Sequence, residues 1–482
     1  MLDMRPILLV LGLLLAPLGL AMTIPVAVDL WSNSPDWQVF FLSGAFTVFV
    51  GISLYLVSRG SNKDLNLKQA FVMTALIWVV LPAFAALPFY FSELSLSYSD
   101  SYFEAMSGLT TTGSTILTGL DALPPGILLW RAILQWLGGL GIIVMALVIL
   151  PILGVGGMQL FRVESFETSG NIIPRARQLS VSMTRLYLIL TMICAGLLMA
   201  AGLSPFDAFA HAMTTIATGG FSTSDISIGK FDSAGVESII ILFMIIGSLP
   251  FALYLQSIRG KPLALWRDSQ VRTFIAATVV LVGMVVAWLI SFKAFSLGEA
   301  LRFGSFNVIS IMTGTGYTST DFGTWGAFAV VAFFMLMFIG GCAGSTSCGI
   351  KIFRFQVLFS TLYTQIRQIN RPHGVFHPQY NNRPIPPSVT SSVMSFLFLF
   401  FVSFLVLAIA LSATGLDYIT ALSGAATAIA NVGPGLGDII GPAGTFAPLS
   451  DPAKWLLSFG MVLGRLELFT ILLLFSPAFW RG

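Results

Sequence analysis

Thr111-Thr112-Gly113-Ser114, Thr218-Gly219-Gly220-Phe221, Gly314-Thr315-Gly316-Tyr317 and Asn431-Val432-Gly433-Pro434 are four polar strings set in apolar sequence, each centred on one glycine. The central glycines lie 107, 96 and 117 residues apart. A unit repeated four times, with one bare-backbone glycine per copy, predicts four loops meeting on one axis. Glycine permits the left-handed backbone such loops need and leaves no side chain in the path. Carbonyl oxygens aimed at the axis can replace the hydration shell of a cation. No carboxylate sits in any string, whereas a divalent ion would call for several. The strings therefore suit a weakly hydrated monovalent ion such as potassium. The expected ion-binding residues are Thr111, Thr112, Gly113, Thr218, Gly219, Gly220, Gly314, Thr315, Gly316, Asn431, Val432 and Gly433.

Each string follows a segment too short to cross a bilayer: 100–110, 207–217, 299–312 and 417–429. Each segment opens on a capping-box pattern: Ser97 with Asp100, Ser204 with Asp207, Ser296 with Glu299, Thr414 with Asp417. A hydroxyl stands six residues before every central glycine, at Ser107, Thr214, Ser310 and Thr427. A spanning run lies on either side of each segment, so all four enter from the same face, as parallel repeats about an axis normal to the membrane. Each re-entrant helix then ends near mid-membrane with its negative pole toward a central cavity. Irregular backbone at that depth is tolerated only where it lines water or is buried by protein.

Composition agrees. Of 482 residues, 56% are hydrophobic and 9% charged, against about 25% charged in soluble domains. Apolar runs cover 7–28, 40–57, 70–91, 126–153, 187–203, 238–258, 274–295, 325–338, 393–414 and 455–479. Ten spans put both termini on one side. Most lysines and arginines fall there too, so that side is expected to be cytoplasmic. The opposite side carries Asp225, Asp232, Asp321, Asp438 and Asp451, either an acidic vestibule or ordinary loop solvation. The first run is longer than a signal-peptide core and reads as a retained span. The fold class is an all-α integral membrane protein, with two leading helices (1–66) and four helix–pore-loop–helix repeats (67–160, 161–260, 261–375, 376–482) about a pseudo-fourfold pore. Three cysteines give no disulfide framework, and no metal-ligand cluster stands out.

The strings in their wider context, TTTGST (110–115), ATGGFST (217–223), TGTGYTSTDF (313–322) and NVGPGLGD (431–438), resemble the bacterial Trk/Ktr potassium-uptake family of TrkH, TrkG and KtrB. The likeness spans nearly the whole chain, and the two leading helices make it more like TrkH or TrkG. It implies four joined copies of a potassium-channel pore unit with a simpler filter, potassium as the transported ion, and no organic cofactor on this chain. It also implies a homodimer in the inner membrane with a peripheral TrkA-type subunit that binds nucleotides. The chain itself has no nucleotide-binding glycine motif, and no nucleic-acid partner is expected. The basic segments 162–185 and 351–383 either dock an acidic partner or reflect topology alone.

Two features suggest a gate. The tract 340–349, with Gly340, Gly341, Gly344, Ser345, Thr346 and Gly349, is too rich in glycine and hydroxyls for a stable helix interior. It reads as a mobile intramembrane loop or as a small-residue packing face. Arg465 lies inside the last apolar run, with Glu467 two residues on. It faces the cation path and raises a barrier there, or it forms a structural pair with Glu467 or the loop. The resemblance matches both features to the family's inner loop and gating arginine. Two other functions compete with a gated pore. One is an ion-coupled symporter. The other is an intramembrane aspartyl protease, suggested by Gly435-Leu436-Gly437-Asp438.

Overall fold

The computed structural model describes residues 3–60, 66–146, 157–158 and 172–481. Arg162 and the end of the 126–153 run lie outside them. Among the described residues the regular structure is helical, apart from a two-stranded hairpin pairing Gln379–Tyr380 with Arg383–Pro384.

The leading helices, Arg5–Ala21 continuing as Thr23–Ser32 and then Trp37–Ser58, pack along one another. Small residues set their separation: a Cβ on Gly12 would meet the Gly51 carbonyl oxygen at 2.5 Å. Such close approach is how helices associate where lipid is as apolar as their side chains.

Four units follow. Their short helices are Tyr98–Leu109, Pro205–Ile216, Leu297–Met312 and Tyr418–Ala430. The first three are capped as expected. Ser97, Ser204 and Ser296 Oγ accept from the amides of Asp100, Asp207 and Glu299 at 3.1, 3.1 and 3.3 Å. The fourth differs. Asp417 is itself the cap, accepting from Ile419 and Thr420 amides at 3.1 Å each, while Thr414 Oγ1 donates back to Leu411 O at 2.6 Å. An aspartate accepts from N2 and N3 directly, so the upstream hydroxyl is not needed.

All four short helices end alike. The residue before each central glycine donates its amide to the carbonyl of the residue carrying the recurring hydroxyl: Thr112 to Ser107, Gly219 to Thr214, Thr315 to Ser310, Val432 to Thr427, at 2.9, 2.8, 2.9 and 3.1 Å. This is the 6→1 bond of a Schellman stop, and it needs a left-handed residue just before the donor. Thr111, Thr218, Gly314 and Asn431 supply it, with φ of 52°, 50°, 72° and 52°. For a β-branched threonine that conformation is strained.

Seven helices are long and apolar enough to cross a membrane among the described residues, or nine if two bent pairs each count as one span. The tenth expected span is interrupted: Ala327–Leu336 stops, 337–351 is non-helical, and Ile352–Asn370 resumes. Two runs read as continuous spans are broken. Ala234–Ser248 turns by 92° into Phe251–Ile258 at Leu249-Pro250, because proline cannot continue the ladder. Asp451–Arg465 turns by 109° into Phe469–Phe475, where Glu467 and Leu468 take φ of 57° and 55°.

Replacing Asp417 by alanine should cost about 1 kcal/mol of stability, the usual worth of a lost cap. Thr414→Val should cost clearly less. Thermal unfolding in detergent checks this, and equal losses would return the cap to Thr414.

Candidate functional site

The strings close into a ring. A Cβ built on Gly113 would stand 2.2 Å from Gly219 O; on Gly220, 1.9 Å from Thr315 O; on Gly316, 2.0 Å from Val432 O; on Gly433, 3.0 Å from Thr112 O. In every case the carbonyl belongs to the residue before the next unit's central glycine. Unit one abuts two, two abuts three, three abuts four, and four returns to one. The central glycines also have positive φ, 89°, 80°, 84° and 115° in chain order. Positive φ and the close carbonyl together exclude a side chain at the first three positions.

Side chains fasten the ring. Asn431 Nδ2 donates to Thr112 Oγ1 at 2.8 Å and to Met461 O at 3.0 Å, and Ser114 Oγ donates to Gly433 O at 2.7 Å. Gln135, wholly buried, donates to Gly219 O at 2.7 Å and accepts from Phe221 N at 3.0 Å. Thr214 Oγ1 bonds the Tyr317 hydroxyl, joining units two and three.

A second tier had no place in the sequence reading. Nine residues before the central glycine stand Glu104, His211 and Asn307. Glu104 accepts from Ile116 N at 2.9 Å, His211 Nε2 meets Ser222 Oγ at 3.0 Å, and Asn307 bonds Ser319 Oγ at 3.0 Å. In the fourth unit Ser423, ten residues before, accepts from Leu436 N at 2.9 Å. Each grips the outgoing arm of its own string. Arg131 binds Glu104 at 2.7 Å, reaches Ser222 O at 2.8 Å and lies 4.1 Å from the Phe221 ring centre. The available signal was a polar side chain recurring at one register of an apolar helix.

On the side expected to be outer, one cavity is lined by all four central glycines together with Arg131 and Asp225. Of the other outer acids, Asp232 pairs with Arg302 at 2.8 Å, and Asp321 caps its own turn through Gly323 N at 2.9 Å. Nearby, Lys230 bonds Asp121 at 2.7 Å and holds its carboxyl below the usual range.

On the side expected to be inner, Gly344, Ser345, Ser347, Cys348 and Gly349 line a cavity with Lys351, Arg354, Arg465 and Glu467. Its volume is about 20 Å³, room for one water-sized occupant. Gly340 and Gly341 lie behind the loop, where Gly340 N donates to Ile350 O at 2.9 Å and Gly341 N to Ser347 Oγ at 2.8 Å. Thr346 Oγ1 donates to Ile216 O at 3.0 Å and Gly247 O at 2.9 Å, so the loop seals the break in the Ala234–Ser248 helix. Arg465 and Glu467 do not pair. Glu467 binds Arg354, which lies 3.8 Å from the Phe396 ring centre. Arg465 donates to Gly138 O at 3.0 Å and to Cys348 Sγ at 2.5 Å, with Trp78 at 5.5 Å. The left-handed turn at Glu467 and Leu468 ends the helix just after Arg465.

Residues 36–481 match the family model described as TrkH, cation transport protein. The chain belongs to the TrkH family. It is 46% identical over 477 residues to the Trk system potassium uptake protein TrkI of Halomonas elongata, covering 99% of this chain and 97% of that one. To the Trk system potassium uptake protein TrkH of Escherichia coli K12 it is 38% identical over 483 residues, 99% of each chain. The crystal structure of the potassium transporter TrkH from Vibrio parahaemolyticus superposes with a TM-score of 0.92 at 36% identity, covering both chains completely. This is a family of multi-pass membrane transporters, not of enzymes, and the protease reading of Asp438 falls away.

Glu104→Ala would leave Arg131 buried and unpaired, and should cost roughly 3–5 kcal/mol. The pair Glu104→Met with Arg131→Met should be less damaging than that single change. Thermal unfolding of both variants tests it, and a tolerated Glu104→Ala would show the pair has little structural weight.

Proposed function

We propose that the chain carries potassium into the cell through a gated, channel-like pore whose selectivity filter is the ring of four glycine strings. The observation that carries this reading is the closed circuit of glycine-to-carbonyl contacts running through all four units. Left-handed residues alternate with ordinary ones along each string: Thr111 and Gly113, Thr218 and Gly220, Gly314 and Gly316, Asn431 and Gly433 all have positive φ. Alternating hand turns successive carbonyls toward one side, where an extended strand would send them to opposite sides. The short helices point their negative poles at the space beneath. Potassium as cargo agrees with the printed names of the relatives.

The inner loop with Gly344, Ser345, Thr346 and Gly349, backed by Gly340 and Gly341, forms the gate together with Arg465. Three cations and one carboxylate surround a cavity of single-occupant size, which opposes a permeating cation. Both termini are cytoplasmic in the inner membrane. A TrkA-type nucleotide-binding subunit docks on the basic inner face of a homodimer and opens the gate. Uptake is driven by membrane potential, worth about 2.3 kcal/mol per charge for each 100 mV. A sodium- or proton-coupled symporter would instead show transport tied to a second gradient.

Rubidium uptake into liposomes holding the purified chain should be blocked by potassium and weakly by sodium. Gly316→Ser should alter that preference or abolish uptake. Uptake indifferent to this change would remove the filter assignment.

Arg465→Ala should raise basal rubidium flux several-fold without changing ion preference. Shortening the 340–349 tract should do the same. Flux unchanged in both folded variants would mean that this cavity is not the gate.

A further inference from the structure

Behind Arg465, on the side away from the pore, lies a cavity of about 420 Å³. Its walls come from the middle of two leading-side spans (residues 10–18 and 73–82), the inner end of Pro125–Val144 (137–145), Leu109 and Thr184. Nearly every lining atom is apolar. The two hydroxyls in the wall are already committed: Thr74 Oγ1 donates to Ala70 O at 2.8 Å, and Thr184 Oγ1 to Ser180 O at 2.9 Å. Among the described lining side chains the Trp78 indole N–H alone is without a hydrogen-bond partner, too little to hold an ion or a water cluster. Apolar cavities of this kind stay dry and take up hydrocarbon.

The depth of the cavity names the hydrocarbon. Leu14, which lines it and is exposed, stands midway along the first span, at a level where the surrounding solvent is lipid chain. Gly141 leaves the space open, since a Cβ there would meet no atom within 4 Å. The far wall includes Trp78 and Gly138, which are the ring and the carbonyl that Arg465 contacts.

We propose that this cavity is a binding site for one acyl chain of a membrane phospholipid, entering past Leu14 and lying against Trp78. The chain fills what would otherwise be a void beside the helix wall that holds Arg465. The site stands on this geometry alone, whatever the role of the pore.

The test uses the full chain in vesicles of phosphatidylcholine, with ordinary or dibrominated acyl chains. Bromine quenches tryptophan at contact range. The contribution of Trp78 is obtained by difference against Trp78→Phe, and that of the fully buried Trp130 against Trp130→Phe. Trp78 should be quenched at least twice as strongly as Trp130. Gly141→Leu, which places a side chain in the open space, should bring Trp78 down to the Trp130 level. Delipidation should lower the unfolding temperature of the parent and change that of Gly141→Leu less. Equal quenching of Trp78 and Trp130 in the parent would overturn the proposal, and this comparison needs no cavity-filling variant to fold. Strong Trp78 quenching that survives in monodisperse Gly141→Leu would overturn it too, since the lipid would then be meeting Trp78 from elsewhere.

Discussion

Each unit's central α-carbon rests against the carbonyl of the next unit, and this constraint shapes the centre of the molecule. At Gly113, Gly220 and Gly316 even one methyl group would overlap the neighbouring oxygen. The ring is thus held at a diameter that only a bare backbone allows. It is not evenly tight. Gly433 keeps a wider clearance, and its carbonyl accepts from Ser114. Units one and four are joined there by side-chain hydrogen bonds, with Asn431 reaching Thr112, while Gln135 fastens the junction of one with two and the Thr214–Tyr317 pair that of two with three. A chain repeated four times need not be symmetric, because each copy has diverged around the same backbone stop.

Holding that ring at membrane depth creates a demand for backbone partners, and two of the breaks in the structure answer one another. The turn at Leu249-Pro250, the loop 337–351 and the kink after Arg465 each free amides and carbonyls that lipid cannot satisfy. The first two are brought together, while the third satisfies itself locally, Glu467 N donating to Gly464 O and Leu468 N to Leu463 O. Cys342 N donates to Ser248 O at 2.9 Å, Phe251 N to Gly344 O at 3.0 Å, and Thr346 Oγ1 to Gly247 O. One irregular segment supplies what another lacks. Two of the three units whose second helix does not run straight thus satisfy one another, although only one of them contains a glycine-rich tract.

The difference between what was legible and what was not follows the same logic. The four strings, the short helices and the hydroxyl six residues upstream were visible because they recur in sequence, and recurrence survives divergence. The break at 337–351 was visible because glycine and hydroxyl residues crowd it. The breaks after Ser248 and Arg465 were not. Both sit in runs apolar enough overall that hydropathy sees only enough length to cross a bilayer, even with Arg465 and Glu467 in the second. Pro250 was the one local signal, and Glu467 at positive φ carried none. The tier of Glu104, His211 and Asn307 escaped because the three side chains differ in chemistry and share only a register. The fourth cap was misassigned because Thr414 and Asp417 both have the right spacing, and only geometry separates a cap from a helix end.

The cations of the inner cavity are not equivalent, and their anchoring indicates which one is free to move. Arg354 is fixed twice over, by the carboxylate of Glu467 and by the face of Phe396. Displacing it would leave a buried carboxylate unpaired, a costly change. Lys351 donates to Ser347 O and so belongs to the loop itself. Arg465 is held by one carbonyl, one thiol and the face of an indole, and its Nε meets no acceptor among the described residues. No carboxylate is spent on it. A guanidinium sharing a cavity with Ile429, near the negative end of the fourth short helix and without a counter-charge of its own, is attracted by the same field that would attract a permeating cation. Under the proposed reading it competes with the ion for that field. The gate then opens by moving the cation whose departure breaks no ion pair.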